Sequence, residues 1–294
     1  IVGDIVLRNR YLTAVIAQPT ATRHANMTVR DVGGCLIDLT TRAYGSDQLH
    51  CFYPGRREVQ FRSWKASADG QGQIEVTPDL KLSGKNAAVI VHAAGSEDLP
   101  ERWVVYALSA ESRALRIEDE YDNVSTKVLT TTLVNDLRLD GGKEDQAKAA
   151  NGHGRRFWYA DRFWQQAYVF EIADRGEWEF NSDARTANLT FLPSDGGKLV
   201  QQPGAKDVVS YQIAPGRSLL HATAALAVQA GEPVTEVTFS VRDSFDRPIG
   251  GAVFEVTRDG QYAGTLVSDD QGEAAAPMGP GGYQVQIKFN GAAI

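Results

Sequence analysis

Residues 153–166 bring aromatic rings together with charged and amide side chains in one short segment, HGRRFWYADRFWQQ. Proteins bind sugars with aromatic faces that cover C–H groups and with polar side chains that fix the hydroxyl groups. On this chemistry His153, Arg156, Trp158 and Trp164 are candidate carbohydrate-binding residues. The alternative is a structural strand, in which alternate rings enter the core and the arginine stems cover its edge.

Two further segments place arginine near histidine or asparagine. Arg23, His24 and Asn26 lie together in a predicted loop between strands. Arg56 belongs to the segment HCFYPGRR, residues 50–57, where a planar guanidinium can hold a carboxylate or a sulfate. Each segment can also be a solvated loop without a ligand. A single cleft formed by the first of these segments and the aromatic one would favour carbohydrate binding.

Acid–base catalysis requires a carboxylate and a partner group at a fixed separation. Carboxylates are dense at Glu118, Asp119, Glu120 and Asp122, but they alternate along a predicted strand and are expected to face solvent. No spacing of His, Cys and carboxylate residues matches a metal site, and no nucleotide-binding or serine-hydrolase motif is present. The sequence therefore predicts neither a metal nor a cofactor.

The composition excludes two classes of partner. The chain has 294 residues, of which 43% are hydrophobic and 23% are charged, as is usual for globular proteins. Its net charge of −7 argues against binding to nucleic acid. No apolar run approaches the ~20 residues of a membrane helix, so no membrane span is predicted.

The elements that must position these residues are predominantly strands. Apolar residues alternate with polar ones and turn residues recur between the runs, which predicts an all-β chain. The predicted strands cover residues 4–16 (a hairpin), 35–39, 58–64, 73–82, 87–92, 103–108, 114–121, 128–139, 167–172, 178–180 and 188–192. Residues 143–150 depart from this pattern and are either two helical turns or a solvated loop.

Near the C-terminus, short strands are separated by turns that need particular residues. Asp259-Gly260 is a hairpin signal, because glycine adopts a positive φ at little cost. Residues 269–272 form a second tight turn, and residues 280–282 lead into a closing strand over residues 283–289.

This C-terminal segment resembles the carboxypeptidase regulatory-like domain, a small transthyretin-like β-sandwich. The matching residues are Val241, Asp243, Pro248, Gly251, Ala252, Val253, Thr265, Asp269, Gly272, Pro280, Gly281, Gly282, Tyr283 and Val285. Asp246-Arg247 departs from the first glycine of the family pattern, which affects one turn. The resemblance implies an accessory module without an active site.

The preceding part resembles the galactose mutarotase-like β-supersandwich over most of residues 1–228. The resemblance is carried by the hairpin at residues 5–16, by WVVYALSAESRALRIEDEYDNVS at residues 103–125 and by DVVSYQIAPG at residues 207–216. It implies a fold shared by sugar epimerases and by non-catalytic domains of carbohydrate-active enzymes. The paired histidines and the late glutamate of the epimerases have no match in this sequence, which argues against an epimerase.

The domain organisation follows from a shift toward alanine and glycine at residues 222–233, where Gly231-Glu232-Pro233 is typical of a linker. We expect a large β-supersandwich over residues 1–230 and a small immunoglobulin- or transthyretin-like sandwich over residues 231–294. The function that this predicts is a non-catalytic carbohydrate-binding or scaffolding module. The alternatives are an epimerase or lyase acting through His153, Arg156 and a carboxylate, and a purely structural interaction unit.

The chain begins at Ile1 without a methionine and ends directly after a strand-like run. We interpret it as a piece of a longer exported protein, extracellular or periplasmic, with a carbohydrate and its own neighbouring domains as partners. Cys35 and Cys51 have no zinc or redox spacing, so they are either a disulfide pair or two buried thiols. His92 and His221 lie in apolar runs and are expected to be structural.

Overall fold

The computed structural model describes residues 3–45, 48–57, 59–140, 147–149, 152–173, 176–183, 185–193 and 197–294. In these residues the chain forms 25 β-strands and one α-helix. The neighbouring strands pair in antiparallel fashion and form several sheets. The prediction of an all-β fold is confirmed.

The elements are named in chain order. The strands before the helix are β1 (Ile5–Arg8), β2 (Leu12–Ile16), β3 (Leu36–Thr41), β4 (Leu49–Tyr53), β5 (Ser63–Ala68), β6 (Ile74–Glu75), β7 (Asn86–Ala93), β8 (Glu101–Ser109), β9 (Leu115–Asp122), β10 (Leu129–Thr131), β11 (Leu133–Leu139), β12 (Ala147–Ala149), β13 (Gly152–Gly154), β14 (Arg156–Asp161), β15 (Gln166–Ile172), β16 (Glu177–Ser182), β17 (Thr186–Leu192), β18 (Leu199–Gln201) and β19 (Lys206–Gly216). The helix and the strands after it are α1 (Leu219–Gln229), β20 (Thr235–Ser240), β21 (Val253–Arg258), β22 (Gln261–Val267), β23 (Glu273–Met278), β24 (Tyr283–Phe289) and β25 (Ala292–Ala293).

Two large antiparallel sheets hold most of the strands that precede the helix. Sheet 1 has eight strands in the order β1-β2-β3-β4-β11-β17-β16-β13, and sheet 2 has nine in the order β12-β14-β15-β19-β9-β8-β7-β5-β6. A short pair, β10 and β18, forms a separate two-stranded sheet. Side chains from sheets 1 and 2 share one hydrophobic core, in which Trp178 is the largest fully buried side chain.

Alternating burial explains how sheet 2 forms one wall of this core. In β8 the side chains of Val104, Tyr106 and Leu108 are buried between the sheets, whereas the residues between them are only partly buried. β8 pairs with β9, the next strand along the chain. A slip of one residue would move the buried row of β8 to the outer face, so the sequence pattern fixes the register.

Strands β20 to β25 form a second unit, which we call the small sandwich. β20 pairs with β23, and β22-β21-β24-β25 form a four-stranded sheet. Their shared core contains Phe254, Val256 and Leu266. The boundary at residue 230 and the assignment to the carboxypeptidase regulatory-like family stay predictions.

The predicted hairpin at Asp259-Gly260 is confirmed. These two residues connect β21 to β22 with φ angles of 51° and 79°, and the flanking Arg258 and Gln261 pair directly. Two central residues with positive φ are typical of the type I′ turn, whose twist matches that of the flanking strands. β24 spans Tyr283–Phe289, the bounds predicted for the closing strand.

The helix α1 was not predicted, because the shift toward alanine and glycine at residues 222–233 was interpreted only as a domain boundary. The Ser218 side chain caps its N-terminus by accepting a hydrogen bond from the backbone N–H of His221. Alanine has the highest helix propensity, so the alanine-rich composition of this segment favours a helix. Among the residues that the structure describes, no helix has the length and apolar character needed to cross a membrane.

Two further predictions of secondary structure differ from the structure, and the alternatives for the two cysteines are decided. Ala147–Ala149 form a strand that pairs with β14, and are neither helical nor a loop, while residues 143–146 and 150 lie outside the described residues. The strand predicted from residue 58 begins only at Ser63. Cys35 and Cys51 are both buried and unpaired, in agreement with the second alternative for them.

We expected the acidic run in β9 to face solvent, but only part of it does. Glu118 and Glu120 lie on the outer face of sheet 2 and are partly exposed, but Asp119 and Asp122 are buried. Asp119 points between the sheets, where it is paired with Arg102. Arg102 in the neighbouring strand β8 is the partner that makes the burial of Asp119 possible.

Candidate functional site

The predicted site residues in the loop before β3 are held by local contacts. Arg23 donates to the Asp4 carboxylate through Nε and Nη2, at 3.1 and 2.6 Å. The ring nitrogen Nδ1 of His24 accepts from the backbone N–H of Asp31 at 3.1 Å. The side-chain oxygen of Asn26 accepts two backbone N–H groups that follow it, which is an Asx turn. These side chains shape the loop, and their role in sugar binding stays a prediction.

Arg56 lies in the turn after β4, with a φ of 63°. Its side chain is half exposed, and its Nε atom is 3.9 Å from Oδ1 of Asp136. Together with Arg62 and Arg102, it lines a cavity at one end of the two large sheets. None of residues 153–166 lines this cavity, and a role of Arg56 in sugar binding stays a prediction.

His153 belongs to β13, the edge strand of sheet 1, and its side chain is 71% exposed. Its Nδ1 atom is 3.5 Å from Oε1 of Glu177 on the adjacent strand β16. Arg156 opens β14 of sheet 2, and its Nε atom is 2.5 Å from Oε1 of Glu171. His153 and Arg156 thus lie on different sheets and do not share the carboxylate that the enzyme alternative requires.

Strand β14 divides the aromatic segment between two faces of sheet 2. Phe157 and Tyr159 are fully buried in the core between the large sheets, as the structural-strand alternative predicts. Arg156 and Trp158 point the other way, toward α1 and the small sandwich. Trp164 follows in the turn between β14 and β15, where its side chain is 47% exposed.

Arg156 and Trp158 face a cleft between sheet 2, α1 and the small sandwich, which we call the inter-sandwich cleft. The ring of Trp158 contacts that of Tyr262 in β22, with ring centroids 5.3 Å apart. The cavity there has a volume of about 570 Å³, which is within the usual range for small-molecule sites. Its polar and aromatic lining residues are Arg156, Trp158, Thr223, Glu232, Arg258, Asp259, Gln261, Tyr262 and Tyr283.

The close approach of α1 brings the walls of this cleft together. At Gly216, which ends β19, a Cβ atom would collide with the backbone nitrogen of Ala222. At Gly264 in β22, a Cβ atom would lie 3.2 Å from Cγ of Leu220. Leu219 packs with residues of sheet 2, whereas Leu220 enters the core of the small sandwich. α1 therefore holds the two units at a fixed separation.

Arg156, Arg258 and Asp259 each have a polar partner but remain accessible. The Arg156 side chain is 46% exposed despite its contact with Glu171. Arg258 donates to a backbone carbonyl oxygen at 2.6 Å and lies over the ring of Tyr283. Asp259, at the tip of the hairpin, has an exposed carboxylate. These groups can donate to and accept from a ligand that lies against the rings of the cleft.

The hydroxyl group of Tyr262 lies beside the rings of the cleft. Its Oη atom is 2.8 Å from Oγ1 of Thr265. Burial raises the pKa of this phenol, so it remains protonated at neutral pH and keeps its hydrogen. The described residues contain no group of three or more His, Cys, Asp or Glu side chains placed to hold a metal ion.

The small-sandwich half of the cleft was missed by the sequence analysis. Arg258, Asp259 and Tyr262 surround the β21–β22 hairpin, and Tyr283 opens β24. In the sequence these residues are turn and strand signals, since nothing local shows what the hairpin packs against. Aromatic residues close to a two-residue turn were the available signal, but only the tertiary fold places them opposite Trp158.

No family model matches the sequence, and no curated protein matches it significantly. Among solved structures, a TPR-domain containing protein from Parabacteroides distasonis is similar at 15% identity and a TM-score of 0.51, over 73% of this chain and 47% of that one. The Slr1438 protein from Synechocystis matches at 8% identity and a TM-score of 0.46, over 73% of this chain and 96% of that one. A galactose mutarotase-like protein from Lactobacillus casei matches at 12% identity and a TM-score of 0.43, over 72% of this chain and 100% of that one.

The first similarity concerns the fold alone, and the chain spans about half the length of that protein. The other two similarities are weaker still and assign no activity to this chain. The functional conclusion therefore depends on the side chains of the chain itself.

Proposed function

We propose that this chain is a non-catalytic carbohydrate-binding module that binds a sugar in the inter-sandwich cleft. The observation that supports this most strongly is that Trp158, Tyr262 and Tyr283 line one cavity together with Arg156 and Asp259. Aromatic faces cover the apolar C–H surface of a sugar ring. Guanidinium and carboxylate groups each form paired hydrogen bonds, which suits neighbouring hydroxyl groups.

The proposed site depends on both units of the molecule. Arg156 and Trp158 come from sheet 2, whereas Tyr262, Tyr283 and Asp259 come from the small sandwich. The walls therefore meet only when the small sandwich is packed against α1. A ligand that contacts both walls binds only when the small sandwich is packed against α1, and it stabilises that arrangement by mass action.

We also infer that residues 1–230 form a galactose mutarotase-like supersandwich and residues 231–294 a carboxypeptidase regulatory-like accessory sandwich. The two antiparallel sheets of eight and nine strands support the first inference. The hairpin after β21 and the closing strand β24 support the second. We propose further that the chain is a binding and scaffolding part of a larger exported protein, extracellular or periplasmic, with its neighbouring domains as partners.

A glycan array followed by calorimetric titration of the best-bound oligosaccharide tests the proposed site. Trp158→Ala is expected to raise the Kd about tenfold, since one aromatic contact is worth about 1.4 kcal/mol. Asp259→Asn is expected to raise it about threefold and leaves the fold intact, because the carboxylate is exposed and asparagine tolerates a positive φ. Trp164→Ala is the matched control, because this exposed ring does not line the cleft.

Two results would contradict the proposal. One is the absence of binding to every glycan at millimolar concentration. The other is an equal loss of affinity in Trp158→Ala and the control Trp164→Ala. Turnover of a bound glycan, seen as mutarotation or as release of an unsaturated uronate, would show that the module is an enzyme.

A further inference from the structure

A buried ion pair lies between the two large sheets, at the end of β8 and β9 that is remote from α1. The side chains of Arg102 and Asp119 are 6% and 1% exposed. Nε of Arg102 donates to Oδ1 of Asp119 at 2.6 Å, and Nη2 donates to Oδ2. The hydroxyl of Tyr121 donates to the same carboxylate at 2.7 Å. A buried ion pair contributes little net stability, because desolvation offsets the attraction.

The turn after β4 fits directly over this ion pair. At Gly55, which has a φ of 74°, a Cβ atom would overlap Nη1 of Arg102, so a larger residue would displace the guanidinium. The backbone N–H of Gly55 donates to Oδ1 of Asn135 at 2.9 Å, and this oxygen is 3.5 Å from Nη2 of Arg102. The guanidinium is therefore held in one orientation by Asp119, Asn135 and the turn.

A cavity of about 680 Å³ opens beside this oriented guanidinium. Three arginines, Arg56, Arg62 and Arg102, contribute to its walls, together with Tyr121. The other lining residues that matter for a ligand are apolar or carry hydroxyl groups: Val59, Leu99, Pro100, Thr131, Thr132 and Leu133. We call this space the arginine cavity.

The charges of the described residues make the arginine cavity positive. Asp119 compensates Arg102, and Asp136 lies 3.9 Å from Arg56. The exposed Arg62 donates to a neutral amide oxygen at 2.7 Å, and no described carboxylate is paired with it. Burial acts to lower the pKa of Arg102, but the attraction of Asp119 outweighs this effect and raises the pKa overall, so the guanidinium stays charged.

We propose that the arginine cavity is a second binding site, which takes a ligand bearing a carboxylate, such as a hexuronate. A planar carboxylate can accept two parallel hydrogen bonds from a guanidinium fork. The forks of Arg56 and Arg62 serve this purpose, since Nε and Nη2 of Arg102 are held by Asp119. Leu99, whose side chain is exposed, and Pro100 offer apolar surface to the C–H face of the ligand. The hydroxyls of Thr131 and Thr132 are available to its hydroxyl groups.

This site is independent of the sugar site proposed above. The residue before β9, Ala114, packs with α1, whereas Tyr121 near the end of β9 borders the arginine cavity. The two proposed sites are therefore separated by the length of β9. Neither Trp158 nor Tyr262 lines the arginine cavity.

Calorimetric titration of the full chain with sodium glucuronate tests this proposal, with glucose and glucose 6-sulfate as comparison ligands. We expect glucuronate to bind at least about tenfold more tightly than glucose, with a Kd that rises as salt screens the charges. Arg62→Gln and Arg56→Gln are each expected to raise the Kd for glucuronate about fivefold. The Arg56 side chain is half exposed and Arg62 is exposed, so these variants are expected to fold. Arg8→Gln is the matched control, because Arg8 is an exposed arginine of β1 outside the cavity.

Equal affinity for glucose and glucuronate would overturn the proposal, as would Arg62→Gln and Arg56→Gln variants that bind like Arg8→Gln. Tighter binding of glucose 6-sulfate than of glucuronate would overturn the assignment to a carboxylate. Loss of glucuronate binding in Trp158→Ala, with no loss in the arginine variants, would place the ligand in the inter-sandwich cleft. That result would overturn the second site and leave the first one standing.

Discussion

Asp38 in β3 is a carboxylate that destabilises the fold at neutral pH. Its Oδ1 atom is buried and accepts no hydrogen bond from the described residues, and burial raises its pKa from 3.8 to about 6. The unfolded chain therefore releases this proton at a lower pH than the folded chain does. Folding becomes less favourable as the pH rises from about 4 to 6, and the penalty is complete above pH 6.

We expect Asp38→Asn to raise the free energy of unfolding by up to about 3 kcal/mol at about pH 7.5, since one unit of pKa shift corresponds to ~1.4 kcal/mol. At about pH 3.5 the gain nearly disappears, because the carboxyl is then protonated in both states. Urea denaturation of both proteins at both pH values measures the difference. A gain of the same size at both pH values would show that the amide acts through packing and not through titration.

The two tryptophans of the aromatic segment show what residue type alone can predict about the site. Trp158 and Trp164 are equally good sugar-binding candidates in the sequence. Trp158 lines the inter-sandwich cleft because β14 turns it away from the large core, whereas Trp164 stands in a turn against Phe163. Residue type therefore identified the segment, and only the pleat of β14 shows which ring faces a cavity.

At the scale of elements, α1 carries a histidine that makes the fold sensitive to acid. Nδ1 of His221 lies 2.8 Å from Oγ of Ser218. Burial, with the positive charge of Arg217, lowers the pKa of His221 from 6.5 to about 4. Arg113 and Glu236 line the same cavity as His221. The unfolded chain binds a proton near pH 6.5 and the folded chain only near pH 4, so stability is lost as the pH falls through this range.

His221→Gln is expected to remove this acid effect while its amide keeps a polar group near Ser218. When the pH is lowered from about 7.5 to about 4.5, the free energy of unfolding of the variant rises by about 2.5 kcal/mol relative to that of the wild type. Asp38 acts in the opposite direction over an overlapping range, so the wild-type profile alone conceals both effects. Urea denaturation of the variant and the wild type side by side isolates the His221 contribution. Parallel profiles would contradict it.

Strands were predictable where apolar and polar residues alternate along the chain. The helix α1 was not predictable, because it lacks the corresponding helical pattern. β8 and β9 each bury alternate residues, so a period of two shows in the sequence. α1 packs on sheet 2 through Leu219 and on the small sandwich through Leu220. A helix that is apolar on opposite sides has no single apolar stripe, so the period of 3.6 that would reveal it is weak.

The two cavities were beyond sequence reasoning because each is completed by distant segments. Asp119 is one of several acids in an alternating run, and its burial depends on Arg102 in the preceding strand. The inter-sandwich cleft likewise needs Tyr262, which lies far from Trp158 in the sequence and only 5.3 Å from it between ring centroids. Local patterns predict strands and turns, whereas contacts between separate elements depend on how those elements pack.

At the scale of the whole molecule, α1 couples the two sandwiches. Its consecutive residues Leu219 and Leu220 belong to different apolar clusters, one with sheet 2 and one with the small sandwich. Trp158 and Tyr262 add an aromatic contact between the same two units. Because neither sandwich can lose these contacts without exposing apolar surface of the other, we expect both to unfold in one transition.

Leu220→Ala tests this coupling, because it removes a side chain that is buried in the small-sandwich cluster. We expect it to lower the free energy of unfolding by about 2–5 kcal/mol, the usual cost of such a cavity. All five tryptophans precede residue 231. Trp158 contacts Tyr262 of the small sandwich, so the measurement is made in a Trp158→Phe background, in which the other four tryptophans report on the large part of the chain. With coupled unfolding, the urea midpoint measured by this fluorescence falls, even though the affected core contains no tryptophan.

Val228→Ala, on an exposed side of α1, is the control and leaves the midpoint unchanged. An unchanged fluorescence midpoint in Leu220→Ala, with faster hydrogen exchange in β21, would show that the two sandwiches unfold independently.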